Sequence, residues 1–391
     1  MRFAARFTNW LEHRWVNPAY VGWVLLGLAL FFFAAATNTL AGWLYVISGV
    51  MLALLMVAAL LPPRNLQGLV VTRSPIQPVT ASTPLAIELR VHNPQRQPRG
   101  LFQIIDSLPA SLGAVQATAI STLPPGQTYT WQYSVPTERR GIYHWPQVDL
   151  RTAAPLGLFW CRRSTEAPAT AVVYPQVLPL KRCPLLDTVG PRNGQHWRYS
   201  PLTQADTQGV TRSLRPYRWG DPTRLIHWRT SARYGELRVR ELENMTASRE
   251  VIIALNTSAR WDVPSFEQAV VAAASLYTYA VKQGFTAALW LPNLAAGNNL
   301  LRESSRVMYS LAGINPAPTA QSATALPPRA TIWLTAAGAP SMALPAGSRQ
   351  VVWGNGSGSD AQDRGIGTLQ IDASEPLETQ LQAKVADIAR F

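Results

Sequence analysis

Between Arg14 and Arg64 the chain carries no Asp, Glu, Lys, Arg or His, and this interval holds two long apolar runs, at 18–36 and 40–61. Each run can cross a bilayer as a helix, which takes about 20 residues. Thr37-Asn38-Thr39 is the only polar break between them. It is too short for a domain, so the runs predict an antiparallel helical pair that turns there. Arg2, Arg6 and Arg14 precede the first run, Arg64 and Arg73 follow the second, and the turn has no cation. The positive-inside rule therefore predicts both outer ends in the cytoplasm. A cleaved signal peptide is the competing reading. The second span that follows at once, and the lack of a small-residue cleavage site, speak against it.

At 391 residues two or three folding units are expected. The formal net charge of +13 points to an anionic partner. Between Lys181 and Arg240 there are twelve Lys/Arg against four Asp/Glu, so 12 − 4 = 8 of that charge falls in one segment. Two cysteines, Cys161 and Cys183, exclude a disulfide framework and show no Cys-x-x-Cys metal spacing.

After the apolar pair the texture changes to short alternating segments punctuated by proline and glycine. Leu85 to Val91 alternates apolar and polar residues and Asn93-Pro94 follows as a turn; 128–135 and 141–150 repeat the pattern. Such spacing predicts a β-sandwich. Arg140 to Tyr143 and Pro155 to Phe159 read as its edge turn and closing strand. From Pro175 to Arg215 periodicity fails, which predicts a long connector. Beyond Glu243 the apolar runs 251–255, 287–291, 330–334 and 350–353 alternate with helical stretches at 265–284, 301–312 and 377–390, the first opened by a Ser265-to-Gln268 capping box. That alternation predicts an open, mostly parallel α/β sheet.

The segment with the greatest chemical content runs from Arg215 to Arg233 and holds five arginines with Tyr217, Trp219 and Trp228. Gly220-Asp221-Pro222 has the makings of a turn into a helix, with Asp221 as N-cap. On a helix from there to Arg233, Leu225, Trp228 and Ala232 would form a buried face, and Arg224, His227 and Ser231 a polar one. Gly235 would end it. An ion pair of Asp221 with Arg215 or Arg233 is also expected. Arginine offers a planar fork for carboxylates and stacks on aromatics, so Arg218 and Arg229 with their aromatic neighbours predict a docking surface.

The ordered residues Arg215, Tyr217, Gly220, Asp221, Arg224, Ile226, Trp228, Ser231, Ala232 and Arg233, behind a membrane hairpin and a β-sandwich, resemble the bacterial family called domain of unknown function 58. The resemblance implies a von Willebrand factor A-like final domain and association with MoxR-type AAA+ ATPases, and no established catalytic activity. It also implies a loop after the first strand of that domain which, in the wider class, holds a divalent cation. Hard cations need carboxylate or other oxygen ligands. Here Asn256 stands where a charged ligand is wanted, Ser258 keeps its type, and Arg260 brings a cation, so this site reads as degenerate and no metal or cofactor is expected.

Asp221, His227 and Ser231 contain the residue types of a nucleophile, base and orienter. An aspartate occupied as a cap cannot also orient an imidazole, so a structural role is the expected one. The expected architecture is multidomain: a cytoplasmic segment at 1–17, a two-helix transmembrane hairpin at 18–64, an immunoglobulin-like β-sandwich at 65–175, the arginine-rich segment at 176–245 and the α/β von Willebrand factor A-like sheet at 246–391. The expected function is a non-enzymatic, inner-membrane adaptor that docks a protein, with its soluble domains in the cytoplasm. Anionic-lipid or nucleic-acid binding through the same basic surface is the alternative, and an unrecognised hydrolase a third reading.

Overall fold

The computed structural model describes residues 8, 10–187, 210–219, 221, 223–243, 250–292, 299–317, 326–339, 344–345, 347–354 and 367–383, with backbone alone at 210–213, 224 and 241–243. The chain divides into two compact units, one of Met1–Gln176 with Tyr309–Gly313 and the other of Val177–Met308 with Ile314–Phe391.

In the first unit two helices, α1 (Tyr20–Thr39) and α2 (Gly42–Leu66), are long and apolar enough to cross a membrane. Only 17% and 22% of their most apolar stretches are buried, whereas the core helix of a soluble protein is mostly covered. They meet along small residues. Ala29 and Ala36 are buried positions of α1 seven residues apart, and Ser48 of α2 donates to the Ala29 carbonyl at 2.9 Å. Small residues let backbones approach, and a hydroxyl can bond across helices in an apolar setting.

Two boundaries depart from expectation. The turn was predicted at Thr37-Asn38-Thr39, but α1 runs through it, and the Thr37 and Thr39 hydroxyls are satisfied within the helix by donating to the carbonyls of Ala34 and Ala35 at 2.7 Å each. Leu40 in the left-handed region makes the turn instead. The second apolar run was expected to end at 61 and the hairpin at 64. Helix α2 continues to Leu66 because its end is fixed by the β domain: Leu66 is in that domain's core, and Asn65 donates to the Gly100 carbonyl at 2.7 Å.

The β domain is two sheets face to face. One has the order β1 (Asn17–Pro18), β9 (Phe159–Tyr174), β8 (Gly141–Thr152), β5 (Arg99–Asp106), β6 (Gln116–Leu123), with β3 (Val79–Thr80) also on β9. The other is β2 (Val70–Arg73), β4 (Leu85–His92), β7 (Thr128–Val135). Alternation in β4 buries Leu85, Ile87, Leu89 and Val91 against Ile104, Val148, Ala171 and Val173 of the facing sheet. At the edge turn predicted around Gly141, the Tyr143 hydroxyl donates to the Arg139 carbonyl at 2.9 Å.

An ion pair sits in this interior. Arg73, 2% exposed, donates to both oxygens of Asp106, which is fully buried, at 2.5 and 3.1 Å. Asp106 also accepts from the Tyr133 hydroxyl at 2.6 Å and the Trp145 indole at 2.9 Å. Burial, then the adjoining carboxylate, push the Tyr133 phenol far upward, so it stays a donor. These four residues come from both sheets and tie them together.

In the second unit, the predicted connector holds a short helix, α3 (Pro184–Asp187), and a strand, β10 (Val210–Pro216), with 188–209 outside the described residues. The α/β sheet has the order β14 (Leu300–Leu301), β13 (Thr286–Trp290), β12 (Glu250–Leu255), β15 (Thr331–Ala336), β16 (Arg349–Trp353), β17 (Thr368–Ile371). Every pairing is parallel except the antiparallel edge β14 on β13. Val251 to Leu255 are wholly buried, as continuous apolar strands between covered faces should be. Helix α5 (Val263–Lys282) packs on β12, β13 and β15. Its cap is Asp262, whose carboxylate accepts from the Ser265 N–H at 3.1 Å, rather than the predicted Ser265. Helices α6 (Ser304–Gly313), whose residues from Tyr309 on are counted with the first unit, and α7 (Leu377–Gln382) follow, and the predicted extension of the last lies outside the described residues past 383.

Candidate functional site

The arginine-rich signature is built on a two-stranded antiparallel ribbon, β10 with β11 (Arg238–Glu243). Beyond Pro216 the Tyr217 N–H donates to the Leu237 carbonyl at 2.8 Å, which continues the pairing. Asp221 then closes the loop. It takes a bidentate pair from Arg215, 2.7 Å on each oxygen, and the Arg218 N–H at 2.8 Å. The predicted ion pair with Arg215 is present.

Asp221 is not, however, a helix cap. A single 3₁₀ turn (Thr223–Leu225) follows, and Ile226 leaves the helical path to form a β-bridge with Val239. Ile226 and Val239 are 5% and 2% exposed, so burying this pair outweighs continued helix. The helix proper, α4 (Trp228–Tyr234), begins afterwards and is capped by His227, whose Nδ1 lies 3.2 Å from the Thr230 N–H that donates to it. Gly235 ends it in the left-handed region, as expected. The predicted faces are reversed: Trp228 is 65% exposed and Ala232 exposed, while Ser231 is buried. Ser231 Oγ accepts from the Arg238 N–H at 2.9 Å and donates to the His227 carbonyl at 3.1 Å. Since Arg238 faces Pro216 in the ribbon and is held from its other side, Ser231 welds α4 to β11. Gly220, Pro222 and the Arg224 side chain lie outside the described residues.

This geometry does not assemble the Asp221, His227 and Ser231 chemistry. The serine hydroxyl bonds the backbone of His227, the ring faces Thr230 Oγ1 at 2.8 Å, and the aspartate is engaged by Arg215. What remains outward is a different set. Trp219 is fully exposed, Trp228 and Tyr234 are largely exposed, and Arg218, Arg229 and Arg233 are exposed beside them. Arg238 lies over the Tyr234 ring at 4.6 Å, a stacking partner that the Arg/aromatic alternation signals but that spacing alone does not pair.

Two expected outcomes follow. Ser231→Ala should cost about 1–3 kcal/mol, because the Arg238 N–H loses its acceptor, and protease cleavage in the ribbon should rise accordingly. Arg215, with the Arg218 amide next, holds the Asp221 carboxyl well below its ordinary range, at about 2. A depressed carboxylate pKa adds stability above the unfolded value, near 3.9, that is lost as pH falls toward the folded one. Wild-type chain should therefore resist ribbon cleavage better than Asp221→Asn at pH 6, with the difference vanishing by about pH 2. A difference independent of pH would count against this clamp.

The other candidate is the loop after β12, at the carboxyl end of the sheet where the strand order reverses between β12 and β15. Ligands favour such a point in open α/β sheets. Here the Asn256 amide donates to Thr335 Oγ1 at 3.0 Å and its oxygen accepts from the Ser258 N–H at 3.1 Å. Asn256 and Thr335 are buried and Arg260 is exposed. With both neutral oxygens engaged and no carboxylate, these residues do not fit a divalent cation. Among the described residues no group of three or more His, Cys, Asp and Glu gathers elsewhere.

The fold and this ribbon define a chain with two apolar helices, a two-sheet β domain and an open α/β sheet that follows an arginine-rich clamp. Residues 213–306 match the family described as "Protein of unknown function DUF58", and the chain carries that domain. No curated protein matches the sequence. Similar solved structures include red sea bream transglutaminase, at 16% identity over 28% of this chain and 15% of that one with a TM-score of 0.20. They also include a beta-glucosidase from Listeria innocua in complex with glucose, at 11% identity over 25% and 16% with a TM-score of 0.16. A third is a GH20 exo beta-N-acetylglucosaminidase from Vibrio harveyi, at 9% over 56% and 29%, with a TM-score of 0.16. The chain spans less than a third of each, and likenesses at these scores bear on neither fold nor function.

Proposed function

We propose that this protein is a non-enzymatic adaptor, anchored in the bacterial inner membrane by α1 and α2, that docks an acidic face of a protein partner through the exposed side of its signature ribbon. The carrying observation is a division of labour. Asp221, His227 and Ser231 are occupied in holding the ribbon, while Trp219, Trp228, Arg218, Arg229 and Arg233 are left outside. Exposed tryptophan beside arginine is the composition of interface hot spots. The partner we assign is a MoxR-type AAA+ ATPase, the class that the family resemblance associates with such chains. Support for the cytoplasmic side comes from the arginines that flank the helix pair. An immunoglobulin-like reading of the β domain and a von Willebrand factor A-like reading of the α/β domain accord with the face-to-face sheets and with the strand order that reverses at β12, with one antiparallel edge.

A photo-crosslinking residue at Trp219 of the full chain, in native membranes, tests the proposal. The expected product is a crosslink to the AAA+ ATPase. Crosslinks confined to lipid or nucleic acid would overturn it.

A further inference from the structure

The connection from β8 to β9 reads Ala153-Ala154-Pro155-Leu156-Gly157-Leu158 and contains no polar side chain, and β9 opens on Phe159-Trp160. Surface turns are ordinarily polar, and an exposed apolar run calls for a functional reason. Its inner part is seated on the apolar helices. Leu158 is buried with Leu55 and Ala58 of α2, and Leu25, Leu26 and Phe159 pack around them. The backbone joins in as well. Asn17-Pro18, just before α1, pairs with Trp160 and Phe159, and the Ala19 N–H donates to the Leu158 carbonyl at 2.8 Å. At Gly22 a Cβ would meet that same carbonyl oxygen at 2.4 Å, so glycine is what lets the turn lie against α1.

The outer part points elsewhere. The Gly157 N–H donates to the Ala153 carbonyl at 2.8 Å and its φ is +72°. This tight turn leaves Pro155, Leu156 and Gly157 exposed, with Leu156 at 46%. Its depth follows from its neighbours. Gly22 lies in the first turn of α1, about 26 Å of helix from Thr39 at 1.5 Å per residue, against a hydrocarbon core about 30 Å thick. Trp15 and Tyr20 are 71% and 84% exposed nearby in the chain, and Arg14, before α1, and Arg64, in the last turn of α2, are exposed. Aromatics and cations of this kind favour the level of the headgroups.

We propose that the 153–160 turn is a membrane-inserted loop whose Leu156 tip occupies the boundary between lipid headgroups and acyl chains beside the helix pair. Its occupant is the bilayer, because the turn is continuous with the face that α1 and α2 present to lipid. This rests on the reading that those helices span a membrane. The β domain is then held on the bilayer without a flexible linker: α2 ends inside its core at Leu66, the chain before α1 forms a strand in its sheet, and the turn enters the lipid.

The test uses the full chain in vesicles of phosphatidylcholine and phosphatidylglycerol, with one polarity-sensitive fluorophore per variant: Leu156→Cys, Pro155→Cys, Leu30→Cys in α1, and Glu138→Cys, exposed in the loop that precedes β8. The native cysteines are buried, and the unsubstituted chain is the blank. At positions 155 and 156 the emission should shift to the blue, resist aqueous iodide several-fold better than at 138, and be quenched by a lipid nitroxide close to the headgroups. Position 30 should respond to a nitroxide deep in the acyl region. If 155 and 156 are quenched by iodide as 138 is while 30 remains in lipid, the loop proposal is overturned and the spanning helices stand. Iodide access at 30 would remove the spanning reading itself, and this proposal with it.

Discussion

Asp106→Ala should destabilise the β domain by about 3–5 kcal/mol, the range for leaving one partner of a buried ion pair without the other. Arg73 would keep its charge at 2% exposure with the Ala167 carbonyl, at 3.3 Å, and the face of the Trp145 ring, at 5.0 Å, as remaining partners. The Tyr133 and Trp145 donors would lose their acceptor as well. Because the four residues reach across both sheets, separation of the sheets rather than a local loop change is expected. Replacing both charges with apolar residues of similar size should cost far less, since the penalty lies in the orphaned charge. Urea titrations of the full chain in detergent, followed by protease cleavage within 85–174, would check both expectations. Near-wild-type resistance of Asp106→Ala would mean that water reaches Arg73.

The second large effect is expected in binding and not in folding. Trp219→Ala and Trp228→Ala remove side chains that are fully and 65% exposed, so melting temperatures should stay close to wild type. Affinity for the docked partner should fall about 30- to 1000-fold for whichever tryptophan is central, corresponding to about 2–4 kcal/mol for a hot-spot residue. Most of that loss should appear in the dissociation rate. Equal affinity for both variants and wild type would place the interface elsewhere.

How much of this was legible in the sequence depended on how local the cause was. The uncharged interval announced both apolar helices, and continuous apolar runs announced β12, β13, β15 and β16, because burial on both faces leaves its mark within each strand. The Asp221 pair with Arg215 was also readable, since both ends lie in one loop. By contrast β10 went unseen: it is charge-rich, and only its pairing with distant β11 makes it a strand. The same distance explains the misplaced cap. Nothing near Ile226 shows that Val239 draws it out of the helix, and once that happens His227, not Asp221, opens α4 and Trp228 turns outward. Asp106 drew no expectation, because its partners come from three other strands. Leu66 lay outside the hairpin expected at 18–64, because only packing in the β domain carries the helix on to it through Pro62-Pro63.

The central claim is that the ribbon's clamp and its exposed face do separate jobs. Its most direct measurement is the affinity of purified full-length protein, in nanodiscs, for the MoxR-type AAA+ ATPase of the same organism, taken for wild type and for Arg218→Ala with Arg229→Ala at low and moderate salt, with a melting curve on each. The account predicts an unchanged melting temperature and clearly weaker binding by the double variant, with the gap widest at low salt, where exposed charges are least screened. A fall in melting temperature with loss of the ribbon's protease resistance, or binding that is unaffected by the two substitutions, would contradict it.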